Sequence, residues 1–238
     1  MSNIATLLHI SDLHFDDELT ERGRRHWKRN LGVKSHSFGK VDALSAKLFA
    51  LLGIGIVPNI LLVTGDVTTD GSPGSLEVAR EFLEESEIFR GNPGRLVTLG
   101  LNAKKRERIV VPGNHDRYVD SRLPYQSQND GLEKVFAMPS RYPHVFCFRP
   151  PGRPSDATEP ALLFFVFDSS APLSRTQDKA PWVRIARGRI EDAECRWLVA
   201  QASTIRDSGS APDLTGEKVP VDYDNAIRIA VLHHHPIK

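Results

Sequence analysis

An α/β domain is the fold class this sequence predicts, and three observations carry it. Short apolar runs recur along the chain, stretches with apolar residues every three or four positions lie between them, and glycine, proline or polar residues close each run. The first run, Ile4 to Ile10, and the second, Ile60 to Thr64, are apolar almost throughout rather than alternating, as expected of strands covered on both faces. Between them Val41 to Leu52 has helical periodicity. A second helical pattern, Ser75 to Phe89, leads to the third run, Arg108 to Val111. The fourth run, Leu162 to Phe167, follows a Pro- and Gly-rich stretch, Arg149 to Pro160, that reads as a loop. A third helix is expected over Glu191 to Ile205, then a second loop, Asp207 to Tyr223, and a last strand, Ile227 to Leu232. No internal repeat or low-complexity block interrupts this order, so one domain over residues 1–238 is expected.

Composition narrows the function classes. Thirty-one Lys and Arg against thirty Asp and Glu leave a net charge of +1, so nothing global draws the chain to nucleic acid or an anionic membrane. Two cysteines, Cys147 and Cys195, are too few for a disulfide framework and too far apart for a thiolate metal site. No stretch approaches the roughly eighteen apolar residues of a membrane span, and the first ten residues lack the basic start of a secretory leader. A cytoplasmic protein is expected.

Chemistry-bearing residues fall just after the predicted strands, where open α/β sheets place their ligands. Ser11-Asp12-Leu13-His14 follows the first strand; alone, the pair reads as well as a turn cap and a surface histidine. Gly65-Asp66 follows the second, with a glycine that permits a sharp turn. Pro112-Gly113-Asn114-His115-Asp116 follows the third and is more specific, combining an amide oxygen and an imidazole at a tight bend. His233, His234 and His235 end the last strand before Pro236; so short a run inside a strand pattern is no purification tag. Carboxylate, amide and imidazole donors without thiolates suit manganese, iron or zinc. Two such ions about 3.5–4 Å apart can share one carboxylate and align an attacking oxygen with phosphorus.

The series Asp12-x-His14, Gly65-Asp66, Gly113-Asn114-His115-Asp116 and His234-x-Pro236 resembles the calcineurin-like metallophosphoesterase superfamily across essentially the whole chain. The phrases HISDLHF, TGDVTTDGSP, VVPGNHDRY, FVFDSS, the helix around Trp197 and LHHHP are similar to those of bacterial class III cyclic-nucleotide phosphodiesterases. This resemblance implies a four-layer αββα sandwich of two mixed sheets. It also implies two divalent metal ions, a first held by Asp12 and His14, a second by Asn114 and His234, with Asp66 bridging both. His234 is chosen because the family ligand stands two places before the proline. His115 would meet the substrate phosphate and protonate the leaving oxygen or stabilise charge, and Asp116 would help orient its imidazole.

The resemblance departs in one place. The family's closing Gly-His-x-His, which gives one ligand to each metal, is absent, and no Gly-His pair occurs anywhere. The expectation is therefore a domain incomplete at its C-terminal end, lacking its last strands and of reduced activity. Between residues 21 and 40, Arg22, Arg24, Arg25, Lys28, Arg29, Lys34 and Lys40 face only Glu21. This segment reads first as solvated surface over Trp27 and Phe38, and otherwise as a rim attracting an anionic substrate. His9, His26, His36 and His144 lack motif context and read as strand, loop or surface residues. The function expected is hydrolysis of a small, nucleotide-like phosphoester. The alternatives are a nuclease, which the basic segment alone supports, and a non-catalytic scaffold that has lost its last ligands.

Overall fold

The computed structural model describes residues 5–17, 36–84, 99, 107–117, 131–139, 142–149, 160–170 and 190–233. Three strands, β1 (Leu7–Ser11), β2 (Ile60–Thr64) and β3 (Glu107–Val111), form a sheet in that order, parallel throughout. Three more, β4 (His144–Phe148), β5 (Leu162–Val166) and β8 (Ile227–Val231), form a second sheet in which β4 runs antiparallel to β5 and β8 parallel to it.

Alternation along these strands explains the layering, since successive side chains leave a strand on opposite faces. Ile60, Leu62, Ile109 and Val111 from the first sheet meet Phe146, Phe148, Leu162, Phe164, Val166 and Val231 from the second in one buried cluster. The sheets therefore pack face to face. On the far side of the first sheet, Ile10, Leu61, Val63 and Val110 pack with α1 (Phe38–Gly53), α2 (Pro73–Glu84) and α4 (Gly131–Phe136) through Val41, Leu48, Leu76, Phe82 and Phe136. On the far side of the second, Val145, Cys147 and Leu163 pack with α5 (Asp192–Ser208) through Leu198 and Ile205. Helix, sheet, sheet, helix: the described residues form the expected αββα sandwich.

The helices carry their own start and stop signals. Pro73 opens α2, where its missing N–H costs nothing, and Ser72 Oγ accepts from the Ser75 N–H. A reciprocal capping box between Glu191 and Glu194 opens α5, and Gly209, at φ 63°, closes it in the left-handed conformation.

Several expectations change. The stretch 207–223 is not simply a loop: α5 runs on to Ser208, and β6 (Ser210–Pro212) pairs with β7 (Lys218–Pro220) in an antiparallel hairpin turned by Asp213, whose carboxylate accepts from Thr215 and Glu217. Turn residues dominate that composition, and they hide two strands of three residues each. His144 opens β4, a strand with a short apolar run, Val145 to Phe148, too brief to stand out from its surroundings. The tail of the second predicted helix, residues 85–89, the basic residues up to Lys34, Trp27, His26 and most of the 149–160 loop lie outside the described residues. Phe38 packs against the first core. Among the described residues no helix is long and apolar enough to cross a membrane.

Candidate metal centre

The first sheet ends flush: Ser11, Thr64 and Val111 are register partners, so the next residues of all three strands emerge along one edge. Backbone bonds then lace the emerging loops together. Asp12 N–H donates to Gly65 O at 3.2 Å, His14 N–H to Asp66 O at 2.8 Å, and Gly65 N–H to Val111 O at 2.8 Å. Asp12, His14 and Asp66 adopt positive φ of 56°, 47° and 47°, a left-handed conformation that ordinary side chains resist. Three of the four described non-glycine residues in this state fall within the expected ligand set, and strain of this kind collects at functional sites.

Glycines make the approach possible. A Cβ on Gly113 would land on the backbone N and carboxylate of Asp66, and a Cβ on Gly65 would land on the His233 ring. Both empty spaces are filled by donor groups aimed at the same point.

That point is Asp66. Its Oδ2 lies 3.3 Å from His233 Nε2, 3.9 Å from His115 Nε2 and 4.0 Å from His14 Nε2, while Oδ1 accepts from the His115 N–H at 3.0 Å. Two groups of possible metal-ligating atoms share this carboxylate, Asp12 with Asp66 and His233, and His14 with Asp66 and His115, each within 4.8 Å. His233 Nδ1 lies 3.1 Å from Thr64 O and His115 Nδ1 3.1 Å from Thr69 O. An imidazole nitrogen beside a carbonyl carries its hydrogen there, so Nε2 is the ring atom turned toward Asp66, a lone pair when the ring is neutral and a donor when it is protonated. Among the described residues His14 Nδ1 is buried with no hydrogen-bond partner, an orphan that a polar occupant would satisfy. Oxygen and imidazole donors converging on a shared carboxylate fit divalent metal binding.

The charges agree. Burial brings His14 down to about 4, helped by His115, so it stands neutral at ordinary pH. Burial alone would raise Asp66, but His233 and His115 override it and hold the carboxyl down at about 2. Burial also pulls against His233, and Asp66, with the Thr64 carbonyl, holds it up at about 9. A cation arriving beside Asp66 must displace that proton, as ligand imidazoles bind deprotonated.

A family model described as calcineurin-like phosphoesterase matches residues 5–164. The chain belongs to that family. Among curated proteins the comparison finds no match.

Within this phosphoesterase the expected residues are distributed as follows. Asp12, His14, Asp66 and His115 come together. Asn114 is buried at the start of α3 (Asn114–Arg117), one residue before the backbone bond to Asp66. His234 lies outside the described residues; the ring of its neighbour His233 reaches Asp66. Asp116 is wholly buried, and its carboxylate accepts from Val67 N–H, Thr68 N–H, Thr68 Oγ1 and Gly113 N–H. Burial, with Asp66 nearby, pushes it up to about 6 against those donors. Its bearing on His115 runs through the backbone: it pins the 67–68 segment, and Thr69, next in line, offers the carbonyl that meets the imidazole.

Two participants carried no readable signal. His36 Nε2 lies 2.9 Å from Asp12 O and its ring stands edge-on to His14 at 6.0 Å, although nothing in its sequence context separates it from a surface histidine. Ser11 Oγ meets the Asp12 carboxylate, steadying that side chain.

Proposed function

We propose that this phosphoesterase hydrolyses small nucleotide-like phosphate esters, as a phosphodiesterase or phosphatase, at a centre of two divalent ions of manganese, iron or zinc. The convergence of three imidazole Nε2 atoms within 4.0 Å of one Asp66 oxygen carries this reading. The similarity of its motif phrases to class III cyclic-nucleotide phosphodiesterases supports the nucleotide-like substrate. The resemblance supports one ion held by Asp12, His14 and Asp66 and another by Asp66, Asn114 and His234; the His233 ring, which lies with Asp12 and Asp66, would add a donor on the Asp12 side. When bound, the ions neutralise phosphate charge and lower the pKa of the attacking water.

The chain's own groups do the rest. His115, its Nδ1 tied to Thr69 O, presents Nε2 to the leaving oxygen and protonates it or stabilises its charge. Asp116 keeps the supporting loop in place. Glycines 65 and 113 let the His233 ring and Asp66 approach the backbone closely. A single domain in the cytoplasm fits two cysteines that are both free, Cys147 buried and Cys195 exposed.

The test is titration of the purified protein with Mn²⁺, followed by hydrolysis of bis-p-nitrophenyl phosphate, p-nitrophenyl phosphate and a cyclic nucleotide. Hydrolysis that a chelator abolishes and Mn²⁺ restores is expected. Absence of both metal binding and hydrolysis sinks the reading.

A further inference from the structure

Behind the metal centre sits a buried ionic cluster that the reaction as described does not use. Arg117, the last residue of α3, is 1 % exposed. Its Nε and Nη2 donate to Asp168 Oδ2 at 2.8 and 2.6 Å. Its Nη1 donates to Glu133 Oε2 at 3.0 Å, and Nη2 also meets Glu133 Oε1. Asp168 follows β5, Glu133 belongs to α4, and neither carboxylate side chain is more than 2 % exposed. We propose that Arg117, clamped by Asp168 and Glu133, is a positioning residue for His115 and Asn114.

A four-residue helix has almost no stability of its own, because nucleation fixes several residues for each hydrogen bond gained. The placement of α3 therefore depends on tertiary anchors at its ends. Asp116 fastens it to the first sheet's 67–68 loop. Arg117 fastens it to the second sheet, and the link closes on itself: Asp168 Oδ1 accepts from the Ser170 N–H at 2.9 Å, and Ser170 Oγ lies 3.5 Å from Pro112 O, at the start of the same turn.

Stability alone is a poor reason for such a cluster. Burying one guanidinium and two carboxylates carries a large desolvation cost, and apolar groups of similar volume often serve stability as well or better. What an apolar cluster lacks is direction. A guanidinium fork fixes two partners in its own plane, and lysine, a point charge on a flexible stem, does not reproduce it. Asn114 and His115 are three and two residues from that fork, so its orientation is theirs.

The effect on turnover rests on the proposed function, in which His115 serves the leaving oxygen. A misplaced acid harms a poor leaving group more than a good one, whereas simple loss of stability harms both alike. The test compares Arg117→Lys, Asp168→Asn and Glu133→Gln with Leu163→Ala, a core change on the opposite face of the second sheet that serves as the destabilised control. Each full-length variant is assayed well below its melting temperature, loaded with Mn²⁺, on a p-nitrophenyl and an alkyl phosphodiester. Arg117→Lys is expected to lower kcat on the alkyl ester at least tenfold more than on the p-nitrophenyl ester, with KM within about twofold, and the control to change both equally. Equal losses on the two esters in a folded, loaded Arg117→Lys protein overturn the proposal. Should Arg117→Lys not fold, Asp168→Asn and Glu133→Gln, close isosteres, decide by the same criterion.

A second readout is independent of activity. The ¹⁵N-detected imidazole resonances of His115 should shift or split in the clamp variants and stay in place in the control; unmoved resonances also overturn the proposal. If the parent protein hydrolyses neither ester, the proposed function fails, and the imidazole resonances still decide whether Arg117 positions His115.

Discussion

The two sheets have three described strands each, yet they serve the site unequally. In the first, all strands run the same way and stop in register, so three consecutive exits deliver Asp12 and His14, Asp66, and Asn114 and His115 to one edge. In the second, β4 runs against its neighbours and brings its beginning, His144, to the end where β5 and β8 finish. Among the described residues, the two parallel members lead to the site, β5 to Asp168 and β8 to His233. A parallel sheet concentrates loop chemistry on one edge because every strand ends there. A mixed sheet spends part of that edge on strand beginnings and acts more as a brace.

This contrast can be broken or sharpened by experiment. The largest effect is expected at the shared carboxylate: Asp66→Ala should abolish tight Mn²⁺ binding and lower kcat/KM by about a thousandfold or more, read by calorimetry and hydrolysis. Retained metal and turnover would mean the parallel edge is not the centre. In the brace, Phe164→Ala opens a cavity between the sheets and should cost about 3–5 kcal/mol in denaturant unfolding, while Mn²⁺ affinity of the folded protein changes less than tenfold. A larger loss of affinity would make the second sheet a full partner in the site.

His115→Ala should leave metal content nearly intact and lower turnover about a hundredfold; metal loss matching that of Asp66→Ala would recast this imidazole as a ligand. Gly113→Ala should weaken Mn²⁺ binding about ten- to a hundredfold, because the new Cβ meets the Asp66 backbone, which cannot move aside. Gly65→Ala should do less at the ligand, since it displaces a side chain, although φ of 71° adds backbone strain. The reverse ranking would show that His233 is held more rigidly than Asp66.

The smallest effect concerns pH. Burial brings His144 down to about 4, against 6.5 for a free imidazole. Between those values the unfolded chain binds more protons than the folded one, so stability is full above pH 6.5 and is lost as pH falls toward 4. His144→Leu should make the fall in melting temperature over that window shallower, and an unchanged slope would show that the brace does not shield this ring.

The three longer helices and the five strands read from the sequence were legible because each announced itself locally. The apolar runs of β2 and β5 needed no context, and the turn strings Gly65-Asp66 and Gly113-Asn114-His115-Asp116 pair conformational freedom with ligand chemistry. The hairpin of β6 and β7 was not legible, because three-residue strands between Pro, Gly and Asp carry too little periodicity to separate from a loop. Asp168 stood in a phrase that the resemblance picked out, FVFDSS, but nothing local gave it a partner.

By itself, the sequence determined the α/β class, the strand exits that bear donor residues and the donor chemistry, since hydrophobic period, turn residues and side-chain type are properties of neighbouring positions; the four-layer order was implied by the family resemblance. Only the tertiary structure decided which atoms meet. Arg117 lies 51 residues from Asp168 and His233 lies 169 from Thr64, whose carbonyl sets its ring. Whether an imidazole reaches the shared carboxylate or a neighbouring carbonyl, as with His233 and His36, depends on distances across folded loops. Such distances are fixed by packing two sheets together, and no local pattern in the chain encodes them.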